Sequence, residues 1–483
     1  MDRFSLVKIF SVGIFLILAA NLIKAQIFAG QYYRQLAQGN RIREVPIHAA
    51  RGIIFDRNGT SLTANTPSFR LGKQEISKDQ AIVLESQGKI AEIDSHRSYL
   101  FGSAFAHVLG YIDADRIGQS GVEQKYELKL RGINGKELVE VDALGKRLRT
   151  ISTVPPKAGE NLNLTLDAQI QKTVALSMEG KKGAVVVSNP KTGEILALFS
   201  SPSFDPNNVS DFLTISDQPL FNRAISGTYP PGSTYKIVTA TASLETGAIK
   251  GATMFEDTGV LVIGPYKFPN WKWLRSGAVD GSINVVTALR NSNDIFFYKV
   301  GEVTGIDNLI AWSRKMGLGG RLGLDLPGEA TGSVEKKAEW YLGDTYHFAI
   351  GQGDLLTTPL QVDHWTNIIA AGGKSCRPFL VGKPICRDLG IKSTTINLVR
   401  EGMTQACLPG GTGYPLFGFT PQVACKTGTA EFGSQGKTHA WFTAFAPADK
   451  PEVSVTVLVE GGGEGSDVAA PIAKKILEKY FEK

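Results

Sequence analysis

Two strand-like hairpins far apart in the chain constrain this fold more than any other feature. GAVVVSNPKTGEILALFS, Gly183 to Ser200, is a pair of apolar runs joined at Asn189 to Gly193, where Pro190 and Gly193 suit a tight turn. Much later, THAWFTAFAP and EVSVTVLVE form a second pair, with Val453, Val455, Val457 and Val459 on one face. APIAKKILEKYF then shows helical spacing, with Ile472, Ile476 and Tyr480 on one side. The stretch between the pairs is mostly helical. Strands at both ends with helices between predict an α+β domain: one antiparallel sheet built from sequence-distant strands, flanked by helices, with a mainly helical lobe inserted.

At 483 residues the chain is too long for one ordinary domain. The stretch before Ala158, with many turn signals and short apolar runs, reads as a region of its own. Within it, ARGIIFDRNGTSL reads as strand, tight turn at Asn58-Gly59, and strand. VPPKAG, 154–159, reads as a linker, because paired prolines break helix and central strand alike. NLNLTLDAQIQKTV then passes from alternation to helical spacing behind Asp167 as N-cap. Expected boundaries are an anchor over 1–28, a first domain over 29–158 and a second over 159–483.

The anchor rests on IFSVGIFLILAANLI, Ile9 to Ile23, apolar but for Ser11 and Asn21, with Arg3 and Lys8 before it and Lys24 after. From Phe4 to Phe28, with the lysines snorkelling, the segment is long enough to span a bilayer. Neither Ile23-Lys24-Ala25 nor Leu18-Ala19-Ala20 completes a small-x-small cleavage pattern, so an uncleaved single-pass anchor is expected. Arg34, Arg41 and Arg43 beyond it blur the charge rule for orientation, whereas the size of the following body argues for export across the cytoplasmic (inner) membrane.

Net charge is +6, with lysines and arginines scattered and no basic stripe interleaved with aromatics, which argues against nucleic acid. The six histidines show no HExxH pairing and the cysteine spacings resemble no zinc site, so no metal and no cofactor is expected. Cys376, Cys386, Cys407 and Cys425 allow up to two disulfides in three connectivities, or remain buried thiols.

Chemistry is concentrated in three stretches. In TYPPGSTYKIVTATASL, Pro230, Pro231 and Gly232 cannot continue a helix and Thr234 onward can, which puts Ser233 at a helix N-terminus that favours developing negative charge. Lys236 lies three residues on, on the same face, within reach of the serine as a general base if burial lowers its pKa. S-x-x-K alone is weak. It recurs at Ser5–Lys8, Ser86–Lys89, Ser333–Lys336 and Ser434–Lys437 without the Pro-Gly entry, and a bland Ser N-cap with a solvated lysine fits Ser233 as well. In ALRNSNDIFFYKVG, Ser292, Asn293 and Asp294 form a polar knot before an aromatic run. In ACKTGTAEF, Lys426 is a second cation, Thr427 and Thr429 offer hydroxyls, and Gly428 admits a substrate backbone to the strand. The earlier KTG, Lys191 to Gly193, fills the hairpin turn and needs no chemistry.

Ser-Lys, then Ser-x-acid, then Lys-Thr-Gly, in that order, resembles the serine acyl-transferase set of β-lactamases and penicillin-binding proteins. The chain as a whole resembles the class B penicillin-binding proteins. RGIIFDRNG, GQSGVEQKYELKLRG and NLTLDAQIQ look like their pedestal and junction. SPSFDPN, FNRAISGTYPPGSTYK, LDLPGE, WYLGDTYHFAIGQGDLLTTPLQ and KTGTAE look like landmarks of their transpeptidase domain. YPPGST and the acid at Asp294 resemble the elongation-type penicillin-binding protein 2.

The resemblance implies the penicillin-binding/serine-transferase fold and a D,D-transpeptidase. Ser233 attacks the penultimate D-Ala carbonyl of a peptidoglycan stem ending in D-Ala-D-Ala, Lys236 takes the serine proton, and Ser292 relays a proton to the leaving amine. Lys426, Thr427 and Thr429 hold the substrate carboxylate, the amides of Ser233 and Thr429 form the oxyanion hole, and β-lactams acylate the same serine. It also implies a SEDS-type glycan polymerase as membrane partner. Two departures stand out: Asp294 where many relatives carry asparagine, which tends to raise the pKa of Lys236, and a pedestal cut short between Phe69 and Arg97.

Rival readings are a division-type transpeptidase, a β-lactamase or carboxypeptidase with water as acceptor, and a non-catalytic peptidoglycan-binding scaffold. The pedestal and anchor, and the lack of a recognisable deacylating acid, argue against a hydrolase. The short tail before the anchor argues against a signalling receptor, and the N-terminal region leaves no room for a glycosyltransferase.

Overall fold

The computed structural model describes residues 3–142, 144–433 and 436–482; Ser434, of the last S-x-x-K, lies outside them. The chain begins with α1, Arg3–Ile23, which continues through a π-helical turn at Lys24–Phe28. Phe4–Phe28 is 25 residues long, none of it buried against protein, and at 1.5 Å per residue it exceeds the ~30 Å hydrocarbon core of a bilayer. This fits a single membrane anchor.

Two compact units follow from the contacts. The first takes the residues up to Ile53, Ala64–Ser98 and Leu128–Asn161. Its architecture is a six-stranded sheet of β1 (Ile42–Ile47), β2 (Thr63–Leu71), β3 (Gln74–Ile76), β4 (Glu92–Tyr99), β5 (Gly135–Val141) and β6 (Arg147–Val154), in the order β3-β2-β4-β1-β5-β6. Between Phe69 and Arg97, where the pedestal is short, lie the β2–β3 hairpin and a helix, Lys78–Ser86, whose first turn is closed by a Ser77–Gln80 capping box.

The second unit takes Ile54–Thr63, Tyr99–Glu127 and everything from Leu162. Two stretches that the sequence places in the pedestal therefore pack with the larger unit. Ile54–Phe55 pairs in parallel with Leu162–Asn163, and the tight turn expected at Asn58-Gly59 is present, with Asp56 accepting from the Asn58 and Thr60 amides. Asp167 caps α2 (Ala168–Ser177) by accepting from the Gln169 and Ile170 amides, as its position before the helical spacing predicts.

The sheet of the second unit has the predicted composition. β7 (Gly183–Ser188) and β8 (Ile195–Ser201) form the early hairpin. After the helical insert come β9 (Ala424–Phe432), β10 (Lys437–Ala446) and β11 (Val453–Val459), in an antiparallel order β8-β7-β11-β10-β9. Lys191 to Gly193 occupies the hairpin turn, with Gly193 at φ +82° and the Lys191 amide donating to Asn189 Oδ1 at 2.9 Å. One face of the sheet buries Val453, Val455, Val457 and Val459 against α2 and the C-terminal helix, through Ile472 and Ile476. On the other face Trp441, Phe445 and Leu458 join the core of the helical lobe.

Five helices of that lobe matter here: α3 (Lys236–Thr246), α4 (Val285–Asn291), α5 (Asp294–Thr304), α6 (Pro359–Ala370) and α7 (Ser393–Ala406); α8 (Ala470–Phe481) closes the chain. Of the open connectivities, the structure has Cys376–Cys386 and Cys407–Cys425.

Candidate active site

The Pro-Pro-Gly entry makes a 3-10 turn, Gly232–Tyr235, that runs straight into α3. Gly232 sits at φ +53°, and a Cβ there would lie 2.9 Å from Thr429 O, so only glycine lets this turn lie against β9. The Gly232 amide donates to Gly351 O, and Trp441 Nε1 donates to Pro230 O, both at 2.9 Å. From Pro231 to Leu244, every residue but Ser233 is buried. Its hydroxyl, unbonded among the described residues, is what this rigid turn presents to solvent.

Beneath it lies a chain of charged and hydroxyl groups. Lys236 is fully buried, and its ammonium donates to Asp294 Oδ1 at 2.6 Å and to the Ser292 carbonyl at 2.7 Å. Lys426, also fully buried, donates to Ser292 Oγ at 2.7 Å. Among the described residues no hydrogen bond joins the Lys236 ammonium to the Ser233 hydroxyl, so the reach expected from their i, i+3 spacing is taken up by Asp294 and Ser292 instead.

Ser292 ends α4 in the left-handed region, φ +54°, ψ 37°, which costs a non-glycine residue about 1–2 kcal/mol. The strain is held from both sides. Asn293 caps α5 through the Phe296 amide, and its own amide donates to Asp257 at 2.8 Å and Asp280 at 2.9 Å. The second oxygen of Asp294 accepts from the Trp271 amide at 3.0 Å. Sequence reading found the polar knot but missed Asp257, Asn270 and Asp280, which fix it from strands and loops far along the chain.

Electrostatics follow from burial. Desolvation lowers the pKa of Lys236, against the opposing pull of Asp294. Lys426 is lowered further, first by desolvation and then by the nearby Lys236 charge. The expectation that Asp294 raises the Lys236 pKa thus holds for its sign, while burial decides the net direction.

β9 is the edge strand of the sheet, and it carries the remaining candidates. Gly428 is enclosed: a Cβ there would meet Thr234 Cγ2 and Trp441 Cβ at 3.0 Å each. Thr427 Oγ1 donates to Thr412 Oγ1, and Thr429 Oγ1 donates to Glu464 Oε2, both at 2.8 Å. Sequence reading had not singled out Thr412 or Glu464. Their only signal was a glycine-rich setting, PGGTG and GGGEG.

A serine on a tight turn, two buried lysines of depressed pKa linked by a second serine, and an adjacent edge strand bearing hydroxyls form a nucleophile-and-base arrangement. Residues 183–478 match the family model "Penicillin binding protein transpeptidase domain", and residues 73–164 match "Penicillin-binding Protein dimerisation domain". The chain belongs to the class B penicillin-binding proteins. It is 33% identical to the peptidoglycan D,D-transpeptidase MrdA of Acinetobacter baumannii, over 98% of this chain and 87% of that protein. Among solved structures it resembles penicillin-binding protein 2 of Helicobacter pylori in complex with MreC, with a TM-score of 0.80 at 28% identity, covering 91% of this chain and 99% of that one. It also resembles a chain from a peptidoglycan synthase complex that coordinates polymerization and crosslinking, with a TM-score of 0.79 at 27% identity, covering 100% and 98%.

Proposed function

We propose that this class B penicillin-binding protein is an elongation-type peptidoglycan D,D-transpeptidase in which Ser233 is the nucleophile. The observation that carries the residue assignment is Ser233 itself: the one partly exposed side chain of a buried turn, set over the Lys236–Ser292–Lys426 chain. Ser233 Oγ attacks the penultimate D-Ala carbonyl and its proton passes to Lys236 once that amine is neutral. The tetrahedral oxyanion lies against the amides of Ser233 and Thr429, one such donor being worth ~3–4 kcal/mol. The C–N bond breaks as Ser292 delivers a proton to the leaving D-Ala amine and receives in its place the one that Lys236 took from Ser233, leaving an ester on Ser233. An amine of a neighbouring stem then displaces the serine and forms the crosslink.

Lys426, Thr427, Gly428 and Thr429 bind the substrate carboxylate and backbone along β9. β-Lactams, whose carboxylate and strained amide resemble the stem terminus, acylate Ser233 in the same way. The apolar α1 supports a single membrane anchor, and on this reading the catalytic unit works outside the cytoplasm, on the side where its stem-peptide substrate lies. A SEDS-type glycan polymerase is the membrane partner of this reading; it is supported by the structural neighbour that belongs to a peptidoglycan synthase complex coordinating polymerization and crosslinking.

Intact mass after incubation with benzylpenicillin tests the assignment. Wild type acquires one drug mass that persists for hours, and Ser233→Ala acquires none. Rapid loss of the adduct with drug turnover would replace the transpeptidase by a β-lactamase, and an adduct on Ser233→Ala would displace Ser233.

A further inference from the structure

The strand that carries Lys426 and Thr427 is covalently tied one residue earlier. Cys425 is bonded to Cys407, the residue that ends α7, and both are buried. The disulfide closes the loop 408–424, and that loop folds back on it. The Gly413 amide donates to Ala406 O at 2.8 Å, and a Cβ on Gly413 would lie 2.6 Å from Cys425 Sγ and 2.8 Å from Cys407 Sγ. Gly413 is thus pressed on the sulfurs, which fixes its neighbour Thr412. Thr412 Oγ1 in turn holds Thr427 Oγ1 at 2.8 Å. Cys425 and Thr427 lie two apart on a strand and share a face, so the covalent bond and the hydroxyl contact reach the same loop.

We propose that the loop closed by Cys407–Cys425 is a positioning device for carboxylate recognition, and that Thr412 is the positioning residue through which it acts. The inference rests on Thr427 as a carboxylate-binding residue. A threonine hydroxyl has one proton and two acceptor lone pairs. In this structure the Thr427 proton points to Thr412. When a substrate carboxylate arrives, Thr427 turns its proton to the anion and accepts one from Thr412. The pair exchanges donor and acceptor roles without either side chain moving, and Thr427 stays in one rotamer throughout. Without Thr412 its hydroxyl is free to rotate and part of its binding contribution is lost to ordering. The other disulfide, Cys376–Cys386, joins two short strands, and Cys386 is exposed; it touches none of these groups and serves as an internal control.

The test uses stopped-flow acylation of the full chain in detergent by nitrocefin, resolving the dissociation constant of the initial complex from the acylation rate constant. Thr412→Val is expected to raise the dissociation constant about three- to tenfold, the range for one net hydrogen bond, with the rate constant unchanged. Thr412→Ser restores wild-type binding. Nitrocefin esterified at its carboxylate shows no difference between wild type and Thr412→Val. Replacing both Cys407 and Cys425 by serine weakens nitrocefin binding at least as much, whereas replacing both Cys376 and Cys386 leaves it unchanged. An unaltered dissociation constant in Thr412→Val, or an equal effect on the esterified drug, overturns the proposal. The Thr412 variants decide the matter even if the Cys407/Cys425 double variant does not fold. Wild type that is not acylated at all would sink the reading of Ser233 itself, a separate outcome visible by intact mass.

Discussion

Asp294 holds Lys236 by an ion pair of 2.6 Å inside a site where burial alone favours the neutral amine. The proposed base must lose a proton before it can accept one from Ser233, so the carboxylate works against the first step and in favour of an ordered ammonium. The sign is clear: removing a neighbouring negative charge lowers the lysine pKa. Asp294→Asn is therefore expected to move the acid limb of the acylation pH profile to lower pH by about one unit or more, read from nitrocefin acylation rates across the profile; an unmoved limb would separate Lys236 from the rate-limiting proton transfer. Ser292 gives the complementary expectation. It links the two lysines, its carbonyl accepting from Lys236 and its hydroxyl from Lys426, each at 2.7 Å. Ser292→Ala should lower the acylation rate constant by about 10² or more, within the range for a lost proton-transfer group, while Ser233 still forms the covalent adduct on long incubation. A rate within threefold of wild type would remove Ser292 from the relay.

Helix α6 shows what an element can hide from its sequence. PLQVDHWTNIIA is buried at every position and opens with a Thr358–Gln361 capping box. Two neighbours on it titrate in opposite senses. Burial pushes the Asp363 carboxyl up to about 6, although Ser188, Ser454 and Asn367 bond to it, and pulls His364 down to about 4, as it does His107 elsewhere. For the histidines the folded value lies below the ordinary 6.5, so their contribution is complete above that pH and is lost as pH falls towards 4. For Asp363 the folded value lies above 3.8, so its contribution is complete below that pH and is lost as pH rises through 6. Each shift is worth about 3 kcal/mol at most, and two histidines outweigh one aspartate. The thermal midpoint should thus fall between about pH 7 and about pH 5, less steeply in His364→Gln and more steeply in Asp363→Asn; an equal fall in all three proteins would refute this. A helix buried all round has no apolar stripe, which is why the sequence announced β7 and β8 as apolar runs, β11 by alternation and α8 by helical spacing but left α6, with its mixed polar and apolar residues, unmarked. The three chemical stretches were legible because each joins a backbone device to a reactive side chain: Pro-Pro-Gly before Ser233, the knot at Ser292, the glycine in KTG. Their supports, Asp257, Asp280, Thr412 and Glu464, were not, because long-range pairing rather than local pattern brings them there. The same holds for the packing of 54–63 and 99–127 with the larger unit.

At the scale of the whole chain, anchor and chemistry are separable in their physical demands. The acylation machinery from Ser233 to Thr429 lies in the larger unit, and α1 lies in the smaller one. The 25 residues from Phe4 to Phe28 have no protein to bury them and hold apolar surface that water does not tolerate. Leucine, isoleucine and phenylalanine at the centre of such a helix each favour insertion by ~0.3–0.6 kcal/mol, so the sum over the segment outweighs its two lysines near the ends. The full chain should therefore stay in the membrane pellet through alkaline carbonate extraction, and a chain lacking residues 1–28 should appear in the soluble fraction. A soluble β-lactam reaches Ser233 by diffusion in water, so its acylation rate should agree within about twofold between the two proteins, since no uniform binding to the drug is lost. Crosslinking of glycan made at a vesicle surface is a different matter. There the anchor confines enzyme and nascent strand to one layer and raises their effective concentration, as tethering does for any second binding event. Truncation should then reduce crosslinks severalfold in vesicles while leaving drug acylation intact. Loss of drug acylation on truncation would show that the anchor region shapes the catalytic unit; crosslinking undiminished in vesicles would show that confinement contributes nothing to the reaction.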